Sequence, residues 1–206
     1  MIEDNRLGIA LGDVAGKGLG AAMFMAKLQS TLRAIAPNFE SLAALGAQVN
    51  AIFRRDGLPS RFVSLVYLEL EPNNGAVRLL NAGHLPPLVV RGETVEELPK
   101  GSPALGIMSD VDYTEQHVRL SEHDFLLVYS DGLTEARNEQ GDFFETQRLK
   151  ELLPSLSGLT ARRTGERLLS AVKAFEGDTR PSDDLSLVLL KRTGAVKRLA
   201  SSKAEE

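Results

Sequence analysis

Three acidic positions stand out in the sequence because each lies where a strand is predicted to end or to begin. Asp13 ends the first predicted strand, Asp131 follows the most apolar segment, and Asp183 and Asp184 precede the last predicted strand. A carboxylate beside a buried strand is costly unless a cation compensates it. Ligation by oxygen alone suits magnesium or manganese rather than zinc or copper. The pattern predicts a carboxylate metal site, with an aspartate-capped turn as the alternative at each single position.

The direction of the strands decides whether these carboxylates can meet. If the last predicted strand, residues 185–190, runs antiparallel to the strands that end at Asp13 and Asp131, its beginning lies beside their ends. We then expect the carboxyl groups of Asp13, Asp131 and Asp183 to lie within a few ångströms of one another at one rim of the sheet. Such a cluster favours a shared metal site over three unrelated turns.

A glycine-rich segment, residues 12–18, joins the first predicted strand to a predicted helix and has the composition of a phosphate-binding loop. It is not a P-loop, because Gly12 and Gly16 are too close together and Gly18 stands where that motif needs Ser or Thr. The dinucleotide-binding fingerprint is also missed. Nucleotide binding is therefore disfavoured. Close packing of the helix on the sheet explains the glycines as well as phosphate contact does, and Lys17 is more typical of a solvated lysine than of a substrate ligand.

Composition excludes several classes of site. The 206 residues contain no cysteine, which excludes disulfides, thiolate zinc sites and cysteine nucleophiles. His84, His117 and His123 are scattered, so a histidine-rich metal site is not expected. His84 precedes two prolines and is more typical of a turn than of an acid or base, and Ser130 with His84 lacks the spacing of a nucleophile and its base. Carboxylates remain as the ligands for any metal.

Charge and hydropathy limit the partners and the compartment. The net charge of −4 comes without a basic stripe, so nucleic acid is not an expected partner. No apolar run has the length of a membrane span, and the N-terminus does not have the pattern of a signal peptide. The length suits one domain with a sizeable core. We expect a cytoplasmic protein with a globular part in residues 1–192 and a flexible polar tail in residues 193–206.

Hydrophobic periodicity predicts a consecutive block of strands with helices before and after it, which indicates an α+β fold with an antiparallel sheet or sheet pair and helices packed outside. The strands at 113–120 and 125–130 are expected to pair with each other around the turn at 121–124, and the first two helices to form a hairpin over the sheet. The predicted strands are 7–12, 62–70, 77–82, 88–91, 94–98, 113–120, 125–130 and 185–190, and the predicted helices are 19–36, 41–55, 149–153 and one after Thr160.

Five motifs in the same order and spacing carry a family resemblance over residues 7–192. The sequence resembles stage II sporulation protein E and its relatives, a bacterial branch of the metal-dependent protein phosphatases that is related to protein phosphatase 2C. The motifs are Gly12-Asp13-Val14-Ala15-Gly16-Lys17-Gly18 with Ala21-Ala22-Met23, Asn81-Ala82-Gly83-His84 with two prolines, Leu105-Gly106-Ile107, Tyr129-Ser130-Asp131-Gly132-Leu133-Thr134-Glu135-Ala136, and Asp183-Asp184-Leu185-Ser186-Leu187.

The resemblance implies an antiparallel β-sandwich flanked by helices, with two manganese or magnesium ions. Asp13 would bridge the ions, the backbone carbonyl of Val14 would be a further ligand, and Asp131 and Asp183 would complete the shell of the first ion. The family's ligand is the first residue of its Asp-Asp motif, which selects Asp183 and leaves Asp184 as a neighbouring or turn residue. These residues would activate a shared water, whose hydroxide displaces a Ser or Thr alkoxide from phosphorus.

The implied function is a protein serine/threonine phosphatase acting on a phosphorylated regulatory protein, such as an anti-sigma-factor antagonist. The sequence leaves the oligomeric state open, with a homodimer as one alternative. One departure matters: the family's earlier strand carries Gly-Asp-x-Tyr/Phe-Asp, and residues 1–6 contain no equivalent. A fragment, a mis-set start or a degenerate member would each explain this difference. The alternative function is a truncated, weakly active or inactive module that binds a regulatory partner. The departure of Ala15 from the histidine of protein phosphatase 2C is common in the bacterial branch.

Overall fold

Two four-stranded antiparallel sheets stack face to face, and helices cover their outer faces. The computed structural model describes residues 6–56, 61–179 and 183–194. The residues expected to form the tail, from 195 onward, and the first five residues lie outside this part of the chain. In chain order the elements are β1 (Leu7–Val14), α1 (Leu19–Ile35), α2 (Leu42–Asp56), β2 (Val63–Glu71), β3 (Ala76–Ala82), β4 (Leu88–Arg91), β5 (Thr94–Glu97), β6 (Glu115–Arg119), β7 (Phe125–Tyr129), α3 (Asp131–Thr134), α4 (Glu145–Leu152), α5 (Ala161–Glu176) and β8 (Leu187–Lys191).

The order of strands is β1-β2-β3-β6 in the first sheet and β5-β4-β7-β8 in the second. Three hydrophobic clusters separate four layers. One lies between α1, α2 and the first sheet, one lies between the sheets, and one lies between the second sheet and α3, α4 and α5. The α+β class and the sandwich flanked by helices, both expected above, are confirmed.

Strand β2 shows why these segments form central strands. Its side chains alternate between the two faces, so Leu65 and Tyr67 pack under the helices while Val66 and Leu68 pack between the sheets. A strand covered on both faces has a nearly continuous apolar sequence, as in Val63–Glu71. The buried apolar area of these layers is the main source of stability of the fold.

The helices α1 and α2 form the expected antiparallel pair over the first sheet. Phe24, near the start of α1, meets Phe53, near the end of α2, with ring centroids 4.8 Å apart in an edge-to-face arrangement. Gly46 allows α2 to approach the sheet closely, because a Cβ atom there would lie 2.9 Å from the Leu80 side chain and 3.0 Å from that of Tyr113. The start of α2 is held by Glu115 of β6, whose carboxylate accepts the Leu42 N–H at 2.8 Å.

One expected strand pair is wrong. Strand β6 pairs with β3 in the first sheet, whereas β7 pairs with β4 and β8 in the second. All five residues of β7 are buried, which requires a central place with cover on both faces, while β6 leaves four of its five residues at least partly exposed and belongs at an edge. The loop between them crosses from one sheet to the other, and the His123 N–H donates to the Arg192 carbonyl at 2.8 Å.

None of the helices in the described part of the chain is both long enough and apolar enough to span a membrane.

Candidate metal centre

Asp13 lies at the penultimate position of β1, at the edge of the first sheet. It is opposite Ser64 of β2, and the strand continues for one further residue to Val14, which is buried. The Val14 N–H donates to the Asp13 carboxylate and lowers its pKa. The next residue is also held in place, because the Ala15 N–H donates to the Phe62 carbonyl at 3.0 Å. Asp13 therefore projects from a backbone that is fixed on both sides.

Asp131 and Asp183 come from the second sheet, where Ser130 binds the two segments together. The Ser130 N–H donates to the Ser186 carbonyl at 2.9 Å, and the Ser186 N–H donates to Ser130 Oγ at 2.9 Å. Gly132 lies so close to the Asp184 carbonyl that a Cβ atom would be 2.3 Å from its oxygen. This packing fixes the end of β7 next to the beginning of β8.

Two cavities meet at these aspartates. The larger, of about 790 Å³, is lined by Asp13, Val14, Asp131, Asp183 and Asp184 together with the glycine-rich segment. The smaller, of about 440 Å³, is again lined by two of the aspartates. Its lining consists of Asp13, Ser64, Gly83, His84, Leu85, Pro86, Lys100, Gly101, Asp131 and Glu135. Asp13 and Asp131 are thus shared by both cavities, and all four residues expected as metal ligands line one of them.

The expected geometry needs two corrections. The aspartates do not lie at one rim of one sheet, because Asp13 is in β1 of the first sheet, whereas Asp131 follows β7 and Asp183 precedes β8 of the second. Nor do they form a closed cluster: across the described ranges, no group of three or more His, Asp or Glu side chains is arranged to hold a metal ion. Asp183 Oδ1 instead accepts the N–H of Asp184 at 2.8 Å.

The electrostatics of Asp13 nevertheless fit a hard cation. Burial raises the pKa of Asp13, and the negative charges of Asp131 and Asp183 raise it further, against the lowering effect of the Val14 N–H and of His84. A bound divalent cation would relieve this repulsion and favour the ionised carboxylate. The donor set of carboxylates and a carbonyl suits magnesium or manganese.

His84 both stabilises a turn and lines the smaller cavity. Its N–H donates to Asn81 Oδ1 at 2.9 Å, which agrees with the turn expected from sequence. Its ring Nδ1 forms a hydrogen bond of 2.9 Å with the Ser64 hydroxyl. Burial lowers the pKa of His84, although the Tyr129 carbonyl and Asp13 oppose this, so the ring is neutral at pH 7. A neutral imidazole there adds polarity without another charge.

The remaining polar groups of the cavities could not all be found from sequence. Lys17 and the glycine-rich segment line the larger cavity, while Ser64 and Lys100 line the smaller one. Ser64 is brought there by its register opposite Asp13. Lys100 is brought there by Gly101, which packs against the Asn81 backbone so closely that a Cβ atom would lie 2.1 Å from its carbonyl oxygen. Neither contact leaves a pattern in the local sequence.

The chain is similar to curated bacterial proteins. It is 28% identical to protein IcfG of Synechocystis sp., over 74% of this chain and 28% of that protein. It is 25% identical to the phosphoserine phosphatase RsbU of Bacillus subtilis, over 92% of this chain and 57% of RsbU. The chain therefore spans between about a quarter and somewhat more than half of the length of these relatives.

The fold is also similar to that of solved structures. The crystal structure of the RsbU and RsbW domains of Rv1364c from Mycobacterium tuberculosis superposes with a TM-score of 0.75 at 25% identity, over 93% of this chain and 53% of the other. The sequence model of the family described as stage II sporulation protein E (SpoIIE) matches residues 3–193, nearly the whole chain. The chain belongs to the stage II sporulation protein E family.

Proposed function

We propose that this chain is a metal-dependent protein serine/threonine phosphatase. The observation that carries the proposal is that Asp13 from one sheet and Asp131 and Asp183 from the other line a single cavity, beside a glycine-rich strand-to-helix segment. The reaction is hydrolysis of a phosphoserine or phosphothreonine ester, in which water adds to phosphorus and the P–O bond to the side chain breaks. The products are the free hydroxyl side chain and inorganic phosphate.

Asp13, the carbonyl of Val14, Asp131 and Asp183 are the groups that would hold two manganese or magnesium ions, with Asp13 shared between them. When bound, such ions supply Lewis-acid activation of water and of the phosphoryl oxygens. The raised pKa of Asp13 supports this assignment, because it marks a carboxylate whose ionised form lacks compensation from its surroundings.

Lys100 is the cation of the smaller cavity, where it would bind the phosphoryl oxygens of the substrate. It shares that cavity with Asp13 and Asp131 and with neutral His84. An ammonium group in the same cavity as the carboxylates would orient an anionic substrate toward them. The neutral imidazole does not compete with Lys100 for the phosphate.

The substrate would be a phosphorylated regulatory protein of the anti-sigma-factor-antagonist type, in the cytoplasm. RsbU is named a phosphoserine phosphatase, and the Rv1364c structure joins an RsbU domain to an RsbW domain, so both relatives support a role in regulation by protein phosphorylation. No nucleic acid or membrane is required for this role. A homodimer is a further possibility that measurement of the molar mass in solution would decide.

A weakly active or inactive module that binds a regulatory partner is the second candidate. The observation in its favour is that the three aspartates of the described structure do not form a closed metal-binding group.

The deciding experiment measures release of phosphate from 4-nitrophenyl phosphate and from a phosphoserine peptide, with manganese and with EDTA. We expect release that requires manganese, is lost in Asp131→Asn and is retained in Asp178→Asn, a control at an exposed aspartate that lines neither cavity. No release at any manganese concentration, or release that persists in EDTA, would contradict the phosphatase assignment.

A further inference from the structure

Most of the large apolar side chains that are exposed in the described part of the chain lie on adjacent segments beside the larger cavity. Seven such side chains are exposed, and five of them are between 40 and 78% exposed on α1, on the segment before β2 and on the loop after β5. We call these five the apolar patch: Leu19, Met23, Phe62, Ile107 and Met108. Single exposed apolar residues are ordinary, whereas a group of them marks an interaction surface.

Arg61 connects the first two of these segments. A Cβ atom at Gly20 would lie 3.0 Å from its guanidinium group, and one at Gly16 would lie 2.8 Å from it. The Arg61 side chain therefore rests on the first turn of α1, where Leu19 lies. The two glycines leave the room for this contact.

Backbone contacts connect the third segment to the others. A Cβ atom at Gly106 would lie 3.4 Å from the Arg61 carbonyl, so the loop before Ile107 touches the segment that carries Phe62. The Ile107 carbonyl accepts from the Arg54 guanidinium at 3.1 Å, and the Met108 carbonyl accepts from Asn50 at 2.9 Å. The loop is thus held by α2, and the patch rests on fixed backbone.

The apolar patch begins at Leu19, next in the chain to residues that line the larger cavity. Lys17, Gly18 and Ala21 line that cavity with Asp13. Leu19 lies between these residues in the chain, and Met23 is one helical turn after Leu19, on the same face of α1. A protein that covered the patch would bring its adjoining surface to the mouth of the cavity.

The charges around the patch fit a phosphorylated partner. Lys17, Arg54 and Arg61 flank it, although the chain as a whole carries a net charge of −4, and Asp110 is the exposed acidic side chain nearest to Met108 in sequence. A second copy of this chain docked by two-fold symmetry would place like cations near one another. An anionic protein surface with an apolar centre is the better complement.

We propose that the apolar patch, together with Arg61, is the docking surface for the phosphoprotein substrate, which it holds with the phosphorylated residue in the adjacent cavity. This proposal rests on the proposed function, because it assumes that the cavity receives the phosphorylated residue. The apolar patch would thus recognise the substrate protein, while the cavity would hydrolyse the ester.

The test compares binding and hydrolysis in the Met23→Ser/Ile107→Ser variant, with Phe143→Ser/Leu169→Ser as the matched control. The control residues are 37 and 46% exposed and lie outside the patch. Binding of a fluorescently labelled, serine-phosphorylated anti-sigma-factor antagonist is measured by anisotropy, and hydrolysis is measured on the same protein and on 4-nitrophenyl phosphate. Circular dichroism and molar mass by light scattering accompany each variant.

We expect the patch variant to weaken binding of the phosphoprotein at least ~10-fold and to raise its KM by the same factor. Its kcat/KM for 4-nitrophenyl phosphate should remain within about two-fold of the wild type. The Phe143→Ser/Leu169→Ser control should change neither the binding and KM of the phosphoprotein nor the kcat/KM for 4-nitrophenyl phosphate. Patch-dependent binding without hydrolysis by the wild type would contradict the phosphatase assignment and leave the docking surface supported. Unchanged binding, an equal loss on both substrates, or a change of oligomeric state alone would overturn the docking proposal.

Discussion

Asp13 on β1 of the first sheet and Asp131, which follows β7 of the second sheet, both line the two cavities, and the charge of Asp131 adds to burial in raising the pKa of Asp13. The stacking of the sheets therefore places two like charges in one partly buried space. This repulsion destabilises the folded state whenever both groups are ionised. The arrangement costs stability, and a cation bound between these carboxylates would offset that cost.

Replacing Asp13 with Asn should stabilise the metal-free protein while it removes activity. The neutral amide relieves the repulsion from Asp131 and Asp183, and the melting temperature should rise by about 2–4 °C for each kcal/mol gained. Phosphatase activity should fall by at least ~100-fold, because loss of a direct ligand exceeds the 10–100-fold cost of losing a neighbour of a ligand. Calorimetry without metal and a phosphate-release assay with manganese measure both effects.

The stabilising effect of Asp13→Asn should depend on pH. The pKa of Asp13 is higher in the folded protein than in the unfolded chain, so the protonated form favours folding. That contribution is fully present below the unfolded pKa and is lost as the pH rises through the raised folded pKa. The Asp13→Asn variant should therefore be more stable than the wild type near neutral pH and should lose this difference in stability in acid. If the melting temperature of Asp13→Asn at pH 7 were equal to or lower than that of the wild type, the inference that the ionised Asp13 carboxylate destabilises the fold would be contradicted.

Two glycine-to-alanine substitutions should act in opposite directions. In Gly132→Ala the new Cβ atom would lie 2.3 Å from the Asp184 carbonyl oxygen, so the segment before β8 must move, at a cost of about 1–3 kcal/mol. Activity should fall because Asp183 moves with it. Gly165 in α5 has open space around it, so Gly165→Ala should stabilise the helix by about 0.5–1 kcal/mol and leave activity unchanged. Denaturation midpoints and phosphate release test the pair.

Local patterns predicted most of the elements, because apolar periodicity is imposed by burial within each segment. The Phe125–Tyr129 strand and the α1 and α2 helices follow this rule. Asp13 and Asp131 were also found close to the expected strand ends, Asp13 within the last two residues of β1 and Asp131 two residues after β7. The partners of each strand were less predictable. Strands β6 and β7 are neighbours in sequence, but the difference in their burial sends them to different sheets, and local alternation does not encode that choice.

The residues of the candidate site likewise fall into those that local sequence patterns indicate and those that only the tertiary structure brings together. Asp13 and Asp131 could be singled out from sequence because carboxylates at strand ends beside glycines are conspicuous, whereas the choice of Asp183 over Asp184 depended on the family resemblance. Ser64 and Lys100 could not, since their places depend on a cross-strand register and on the packing of Gly101 against a distant strand. That Asp13 comes from one sheet while the strands next to Asp131 and Asp183 belong to the other is likewise a tertiary property.

A buried ion pair should make Arg78 important for the position of α2. Arg78 Nη2 lies 2.6 Å from the carboxylate of Glu69, which is 1% exposed, and Nη1 donates to the Glu40 carbonyl just before α2. Arg78→Met should destabilise the protein by about 3 kcal/mol because it leaves Glu69 with Arg6 as its remaining cationic partner. Arg119→Met, at an exposed residue of β6, should change stability by less than about 0.5 kcal/mol.

Urea denaturation of both arginine variants measures this difference. A double variant, Glu69→Gln with Arg78→Met, should recover part of the loss, since the buried charge that has lost its shorter ion pair is then removed. A single variant as stable as Arg119→Met would show that the ion pair contributes little.

Lys100 should affect substrate affinity more than turnover. Lys100→Gln should raise the KM for 4-nitrophenyl phosphate and the inhibition constant for inorganic phosphate by about 10-fold, as expected for the loss of one charged hydrogen bond. Lys100→Arg should restore both constants in part. Steady-state kinetics at saturating manganese give these values, and Lys173→Gln, at an exposed lysine outside both cavities, is the control. An unchanged KM with a reduced kcat would contradict a role in binding phosphate.

The two expected metal ions should bind with unequal affinity. Asp13, Asp131 and Asp183 offer three carboxylates to one ion, while the other would share Asp13 and the Val14 carbonyl and take its remaining ligands from water. Fewer charged ligands give weaker binding, so the first manganese should bind at much lower concentration than the second. Activity should continue to rise well beyond the first equivalent, because the proposed chemistry needs both ions.

Titration calorimetry with manganese, compared with phosphate release at the same concentrations, tests this inequality and the choice between the paired aspartates. Asp183→Asn should weaken the tighter binding event at least ~10-fold. Asp184→Asn should change it by less than about two-fold, because Asp184 enters the site mainly through its carbonyl, which accepts from the Ser130 hydroxyl at 3.3 Å. Two equally tight sites, or full activity at one equivalent of metal, would contradict the unequal ligand sets. A larger effect of Asp184→Asn would transfer the ligand assignment to Asp184.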